Sequence, residues 1–272
     1  MINSSDKKRV PIFQLNFDDS FIRQYKIGVE NIFASDSLSE GHYVNEFEVE
    51  FSKFIGAKHS IAVNSGTAAL ELALRALNVK GKQVIVPTNT FVATAIAVER
   101  AGAELILVDI EKDTFSMSPD ALENAITEDT GAVILVHIGG IVSSNVANII
   151  DICAGYGVAL VEDAAQAHGA YDYSYGKRGK KVGSLGIFGC FSFYPTKNLG
   201  ALGDAGAITT NNDDLASKLR KLRNYGSEKK YYHELLGNNS RLDELQAAFL
   251  LVKHTKLSEW NKRRRELADI YL

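Results

Sequence analysis

The sequence predicts an α/β fold in which a mainly parallel, seven-stranded sheet lies between helices. Two observations carry the prediction. From about Lys58 onward, short apolar segments alternate with helical patterns, and that alternation builds a parallel sheet covered on both faces. Further along, two more apolar segments, Phe188 to Phe193 and Ala205 to Thr209, flank a glycine-containing turn and complete the set of seven.

In chain order, residues 1–57 read as an N-terminal helical segment. It opens with the polar run Met1 to Arg9, which is not followed by the apolar core of a signal peptide. The first strand, Ser60 to Val63, runs into the turn Asn64-Ser65-Gly66-Thr67 and a helix starting near Gly66. Strands at Gln83 to Val86, Glu104 to Val108, Ala132 to Val136 and Val158 to Val161 follow, with helices between them. Residues 173–183 read as an exposed hairpin or loop; its basic run is either a solvated turn or a patch that steers an anionic substrate. Beyond the last two strands, helical patterns run from about Asn212 to Arg223 and from Leu242 into Tyr271. The expected organisation is an N-terminal segment over 1–57, a large central unit over 58–240 and a helical segment over 241–272.

The 272 residues suffice for one large domain or two small ones, and a hydrophobic content of 46% is ample for a buried core. A net charge of -3 gives no general attraction to nucleic acid or anionic membranes, so neither is expected as a partner. No apolar run approaches the roughly 20 residues needed to span a bilayer, and a soluble cytoplasmic protein is expected. Cys153 in a helix and Cys190 in a strand have neither the number nor the spacing of a disulfide framework and are expected to be reduced and buried. His42, His59, His137, His168, His233 and His254 are scattered without ligand spacing, so no metal site is expected.

Binding groups in a parallel sheet gather outside the C-terminal ends of its strands. Asn64 to Thr67, Pro87 to Phe91, His137 and Asp163 all fall just past such ends. Lys197 stands at the mouth of the turn Pro195-Thr196-Lys197-Asn198-Leu199-Gly200, where an amine can form a Schiff base. Asp163, at a neighbouring strand end, can hold a cationic ring nitrogen. The helix N-terminus at Gly66 and Thr67 offers N–H donors and a hydroxyl for a dianionic phosphate. A lysine, a carboxylate, phosphate donors and a ring surface are what pyridoxal 5'-phosphate requires of a protein.

The same residues carry a resemblance. Asn64-Ser65-Gly66-Thr67, Pro87 to Thr94, Glu162 to Gly169, Phe193 to Gly200 and Asn239 to Ala248 come in the order found in the DegT/DnrJ/EryC1/StrS sugar aminotransferases, and the chain resembles that family over nearly its whole length. The resemblance implies a fold-type I pyridoxal-phosphate transferase, with 58–240 as its large domain. It also implies transfer of an amino group, from glutamate, to a nucleotide-linked keto sugar in cell-surface polysaccharide or deoxyamino-sugar biosynthesis. The alternatives are another fold-type I reaction on the same cofactor, or a remnant that only binds cofactor or dimerises.

Residue by residue, the resemblance assigns the Schiff base and the proton shift of transamination to Lys197, and the pyridinium contact to Asp163. Dehydratases related to the family carry histidine at the lysine position, so Lys197 implies amino transfer. Phe91 would stack on the ring, Gln166 would contact the phenolic oxygen, and Gly66, Thr67 and Ser192 would bind the phosphate. Asn239 either reaches the phosphate of a neighbouring subunit, which implies a homodimer with shared sites, or caps the following helix. Arg241 either pairs locally with Asp243 or Glu244 or meets substrate anions. After His137 the chain reads Ile138-Gly139-Gly140-Ile141 where relatives often continue with tyrosine, glycine and glutamine, which alters a pocket wall. Relatives also continue past a segment like Trp260 to Ala268 into a small domain that supports the substrate pocket. With the sequence ending at Leu272, cofactor binding is expected to outlast full turnover.

Overall fold

A computed structural model describes residues 15, 17–174, 176, 177, 179–229 and 231–272. Met1 to Arg9, the polar run noted above, and Tyr175 and Arg178 of the basic run lie outside the described residues.

Helices α1 (Asp19–Ser35) and α2 (His42–Ile55) precede the sheet. The strands are β1 (His59–Val63), β2 (Gln83–Pro87), β3 (Glu104–Val108), β4 (Thr130–Val136), β5 (Ala159–Asp163), β8 (Phe188–Ser192) and β9 (Gly206–Thr210), in the spatial order β1-β9-β8-β5-β4-β2-β3. All pairs from β3 through β8 are parallel; β9 is antiparallel to both β8 and β1. Each predicted strand is present within two residues of its expected ends. Two minor pairs, β6 (Tyr171–Asp172) with β7 (Lys180–Lys181) and β10 (Ser227–Lys229) with β11 (Tyr232–His233), form separate hairpins.

Helices α3 (Gly66–Ala76), α4 (Val92–Arg100), α5 (Pro119–Ala125), α6 (Val146–Tyr156), α7 (Asp213–Arg223), α8 (Glu244–His254) and α9 (Leu257–Tyr271) complete the chain, with a short 3-10 turn at Ile138–Gly140. Alternation along β5 divides the apolar layers. Val161 joins α3 and α7 residues such as Leu72 and Leu219 on one face, and Leu160 joins Leu122 and Ile149 of α5 and α6 on the other. A third apolar cluster joins Phe47 and Phe51 of α2 to Phe191, Phe193 and Leu250. Cys153 and Cys190 are buried free thiols, and burial raises both, Cys153 to about 12.

Two expectations need correction. The pattern from Leu242 to Tyr271 is two helices, because the chain turns at Thr255 and Lys256 and drops Leu257 into the core. Residues 173–183 form part of the β6–β7 hairpin, with residues 173, 174, 176, 177 and 180 exposed, but its last residues are not: Val182 bonds the Ala170 carbonyl at 3.0 Å, and Val182 and Gly183 are buried. No helix among the described residues is long and apolar enough to cross a membrane.

Candidate active site

A cavity of about 590 Å³ opens at the C-terminal ends of β1, β4, β5 and β8, and its lining includes Gly66, Thr67, Phe91, Asp163, Gln166, Ser192 and Lys197. The fold therefore gathers into one space seven of the eight residues that the resemblance assigns to the cofactor. Asn239 lines a separate recess beside Asn64 and Glu71 and is exposed. It does not cap α8, whose N-cap is Asp243; its backbone bridges to Asn224 instead.

The phosphate-type end is a helix N-terminus. Ser65 caps α3 by accepting the Ala68 N–H at 3.1 Å, and Gly66 and Thr67 carry first-turn N–H groups that no carbonyl within the helix can accept. Gly66 touches β8: a Cβ there would lie 2.6 Å from Ser192 Cβ. Glycine is thus required for the two predicted phosphate contacts to stand side by side.

Asp163 ends β5 and is 7% exposed. The Thr94 hydroxyl of α4 donates to Oδ2 at 2.8 Å, and the Ala165 N–H donates to Oδ1 at 3.2 Å. Burial nevertheless pushes the carboxyl above the usual range; those two bonds and the charges of Lys197 and His137 oppose it. Such a group gains from a cationic partner. Lys197, half-buried in the turn after β8, is pushed below the ordinary lysine range by burial, against the attraction of Asp163. More of it is therefore the neutral, nucleophilic amine near neutral pH.

The turn that carries Lys197 is fastened from behind by the C-terminal helices. Lys253 Nζ donates to the Gly200 carbonyl at 2.7 Å, Gln246 accepts the Leu202 N–H at 2.9 Å, and Asn261 accepts from Asn198 at 3.0 Å while donating to the His168 carbonyl at 2.7 Å. Gln166 lies in a loop with its Oε1 accepting the Gly139 N–H at 2.6 Å. That bond orients the amide so that its NH2 group is the end left to donate, as contact with a phenolic oxygen requires. Phe91, the N-cap residue of α4, is 68% exposed at the cavity mouth.

Sequence reasoning missed several supporting residues. Thr94 falls within the segment Pro87 to Thr94, and the hydroxyl pair Thr90 and Thr94, 2.7 Å apart and spanning the start of α4, was the available signal. Gln246, Lys253 and Asn261 gave no local signal, because their partners are more than forty residues away in sequence. Arg241 meets neither Asp243 nor Glu244: it donates to Asn224 at 2.6 Å, while Glu244 accepts the N–H groups of Gly41, Tyr43 and Val44 at the start of α2. The altered segment after His137 forms the 3-10 turn, with Gly139 and Gly140 both at positive φ and Gly140 packed on the Gln166 carbonyl.

The profile of the DegT/DnrJ/EryC1/StrS aminotransferase family matches residues 22–272. The chain belongs to this family. It is similar to the pleiotropic regulatory protein of Geobacillus stearothermophilus (45% identical, over 89% of this chain and 64% of that protein). It is also similar to the dTDP-3-amino-3,4,6-trideoxy-alpha-D-glucose transaminase of Streptomyces venezuelae (40% identical, over 100% of this chain and 71% of that protein). The first two relatives therefore extend well beyond the matched region. Among solved structures, S. venezuelae DesV in complex with a ketimine intermediate is 39% identical with a TM-score of 0.88, covering 93% of this chain and 67% of that one. The fold is accordingly that of the fold-type I aminotransferases.

Proposed function

We propose that this chain holds pyridoxal 5'-phosphate and takes part in moving an amino group from glutamate to a nucleotide-linked keto sugar. The observation that carries the reading is one cavity containing a lysine, a buried carboxylate and a glycine-lined helix N-terminus. The residues fit the cofactor: Asp163 is a buried carboxylate lacking a full counter-charge, and Gly66 leaves room where a Cβ would block the approach to Ser192. On this reading residues 58–240 are the cofactor-binding unit, flanked by the segments 1–57 and 241–272.

When bound, the cofactor supplies an aldehyde carbon and an electron-accepting ring. The protein supplies the rest. Gly66, Thr67 and Ser192 hold the phosphate by N–H and hydroxyl donation. Asp163, steadied by Thr94, keeps a proton on the ring nitrogen, and Gln166 donates to the ring's oxygen. Phe91 covers one ring face. Lys197, tied down from α8 and α9, would offer a neutral amine to the cofactor's aldehyde and could hold or release a proton beside the reacting carbon, a contribution of order 10²–10⁴ in rate for a positioned acid–base group. Asn239 reaches the phosphate of a second copy, which makes the working unit a homodimer; its exposure in one copy supports this.

The test is borohydride reduction of protein incubated with pyridoxal phosphate. A visible absorbance band that disappears on reduction, a mass label on Lys197, glutamate-dependent amination of a nucleotide keto sugar by unreduced protein and a dimer by light scattering are the expected results. A label on a different lysine overturns the assignment, and labelled Lys197 without sugar amination points to another reaction on the same cofactor.

A further inference from the structure

The segment that carries Asn239 is fixed on both sides, while the Asn239 side chain is left without a partner. It lies in a recess of about 460 Å³ that shares Ser65 with the active-site cavity, and Ser65 is the N-cap of α3. The recess therefore stands against the helix whose first turn is the phosphate-type end. The Asn238 N–H donates to the Leu222 carbonyl at 2.8 Å, and the Asn238 carbonyl accepts the Tyr225 N–H at 2.9 Å. On the other side the Ser240 N–H donates to the Arg223 carbonyl at 3.0 Å, and the Ser240 carbonyl accepts the Asn64 N–H at 3.0 Å. Between them Asn239 is exposed, and its side chain makes no hydrogen bond among the described residues.

The side chain of Asn238 completes the clamp. Its Oδ1 accepts from Arg75 Nη1 at 2.8 Å and its Nδ2 donates to Glu71 Oε1 at 2.8 Å, while Arg75 also donates to Glu71 at 3.2 Å and to the Leu236 carbonyl. With a cation on one end of the amide and an anion on the other, only one orientation satisfies both. Glu71 is 7% exposed, and it stands one turn before Arg75 on α3. The helix that presents Gly66 and Thr67 in its own copy thus also holds the backbone on which Asn239 points outward. A buried ion pair and amide fix a loop whose outward side chain meets nothing in its own copy, the arrangement required of a group that serves another.

We propose that Asn238, held between Glu71 and Arg75, is a positioning residue that aims Asn239 at the phosphate site of a second copy, an inference that rests on the functional reading above. In an isologous pair each copy gives such a segment and receives one. The effect of the clamp then falls on the partner's site and not on its own.

The experiment follows the fraction of Lys197 labelled by borohydride across graded pyridoxal phosphate. The Asn238→Ala homodimer should bind roughly tenfold more weakly than wild type, the order of one lost hydrogen bond to a charged group. Adding Asn238→Ala to Asn239→Ala should cause no further loss, because one residue acts through the other. Mixed dimers purified through two different tags give the direction. When an Asn238→Ala copy is paired with a Lys197→Ala copy, only the first can be labelled and the segment facing its site is intact, so wild-type affinity is expected. When both substitutions sit in one copy opposite a wild-type copy, the labelled site faces the loosened segment and should show the full loss. A loss that stays with the site of the Asn238→Ala copy, equal losses in the two pairs, additive effects with Asn239→Ala or an unchanged homodimer each overturn the proposal and leave the functional reading standing. Wild type that is labelled as a monomer overturns the shared-site part of that reading together with this inference, and wild type never labelled at Lys197 overturns both. Thermal unfolding checks that Asn238→Ala is folded; Arg75→Gln, which releases the same amide, replaces it if it is not.

Discussion

At the floor of the cavity Asp163 is 7% exposed and already holds hydrogen bonds from Thr94 and Ala165, with His137 and Glu162 bonded beneath it. At the mouth Phe91 is 68% exposed, Tyr194 is 51% exposed, and Asn239 faces away from the cavity altogether. The floor is assembled by the fold alone, since a buried polar group without partners costs about 1–3 kcal/mol and each of these groups finds its partners within the chain. The mouth carries no such obligation. Its side chains are placed to meet a ligand or a second copy, and their energetic contribution is expected in binding and not in folding. Substitutions on the two sides should therefore differ in which measurement they disturb.

The largest effect is expected from Gly66→Ala, at the junction of α3 and β8. The added Cβ would lie 2.6 Å from Ser192 Cβ and 3.1 Å from its Cα, so a strand backbone has to move. Overpacking of this kind costs about 1–3 kcal/mol, and it widens the phosphate end at the same time. Urea unfolding and cofactor titration should both be impaired; full stability with intact affinity would show that the junction is looser than its geometry.

Next is the pH response of His168, which is 2% exposed and whose Nε2 donates to the Ser192 carbonyl at 2.9 Å while Nδ1 has no partner. Burial holds its pKa down to about 3, so the folded protein keeps the ring neutral where the unfolded chain protonates it. The unfolded state binds the extra proton below its own pKa near 6.5. Stability is hence complete above about pH 6.5 and is lost as pH falls toward 3, by about 2 kcal/mol at pH 5. His168→Asn should flatten that part of the slope when unfolding free energies at pH 7.5 and pH 5 are compared; an unaltered slope would assign the acid sensitivity elsewhere.

The smallest effect is expected from Phe91→Ala at the mouth. An exposed aromatic contributes little to folding, so stability should change by less than about 0.5 kcal/mol, while loss of ring stacking should weaken cofactor binding by about 0.5–1.5 kcal/mol. Equal changes in both would place Phe91 with the floor and erase the contrast.

Local pattern determined the strands, because an apolar run between turn residues has few other ways to bury itself. It also determined the candidate residues Gly66, Thr67, Asp163 and Lys197, because chemistry in a parallel sheet collects at or just past strand ends, where those residues sit; Ser192 came from the family resemblance. The break at Thr255 could not be read, since the residues on either side suit a helix and the turn is set by where Leu257 finds the core. Nor could the partners of Asp163, Glu162 and the lysine turn. Thr94 lies 69 residues from Asp163, Gly183 lies 21 from Glu162, and Lys253 lies 53 from Gly200. The sequence by itself names the groups that can do chemistry, because side-chain type and strand-end position are local properties. Only the tertiary structure decides their protonation and aim, because burial and hydrogen-bond partners come from distant segments brought together by the core.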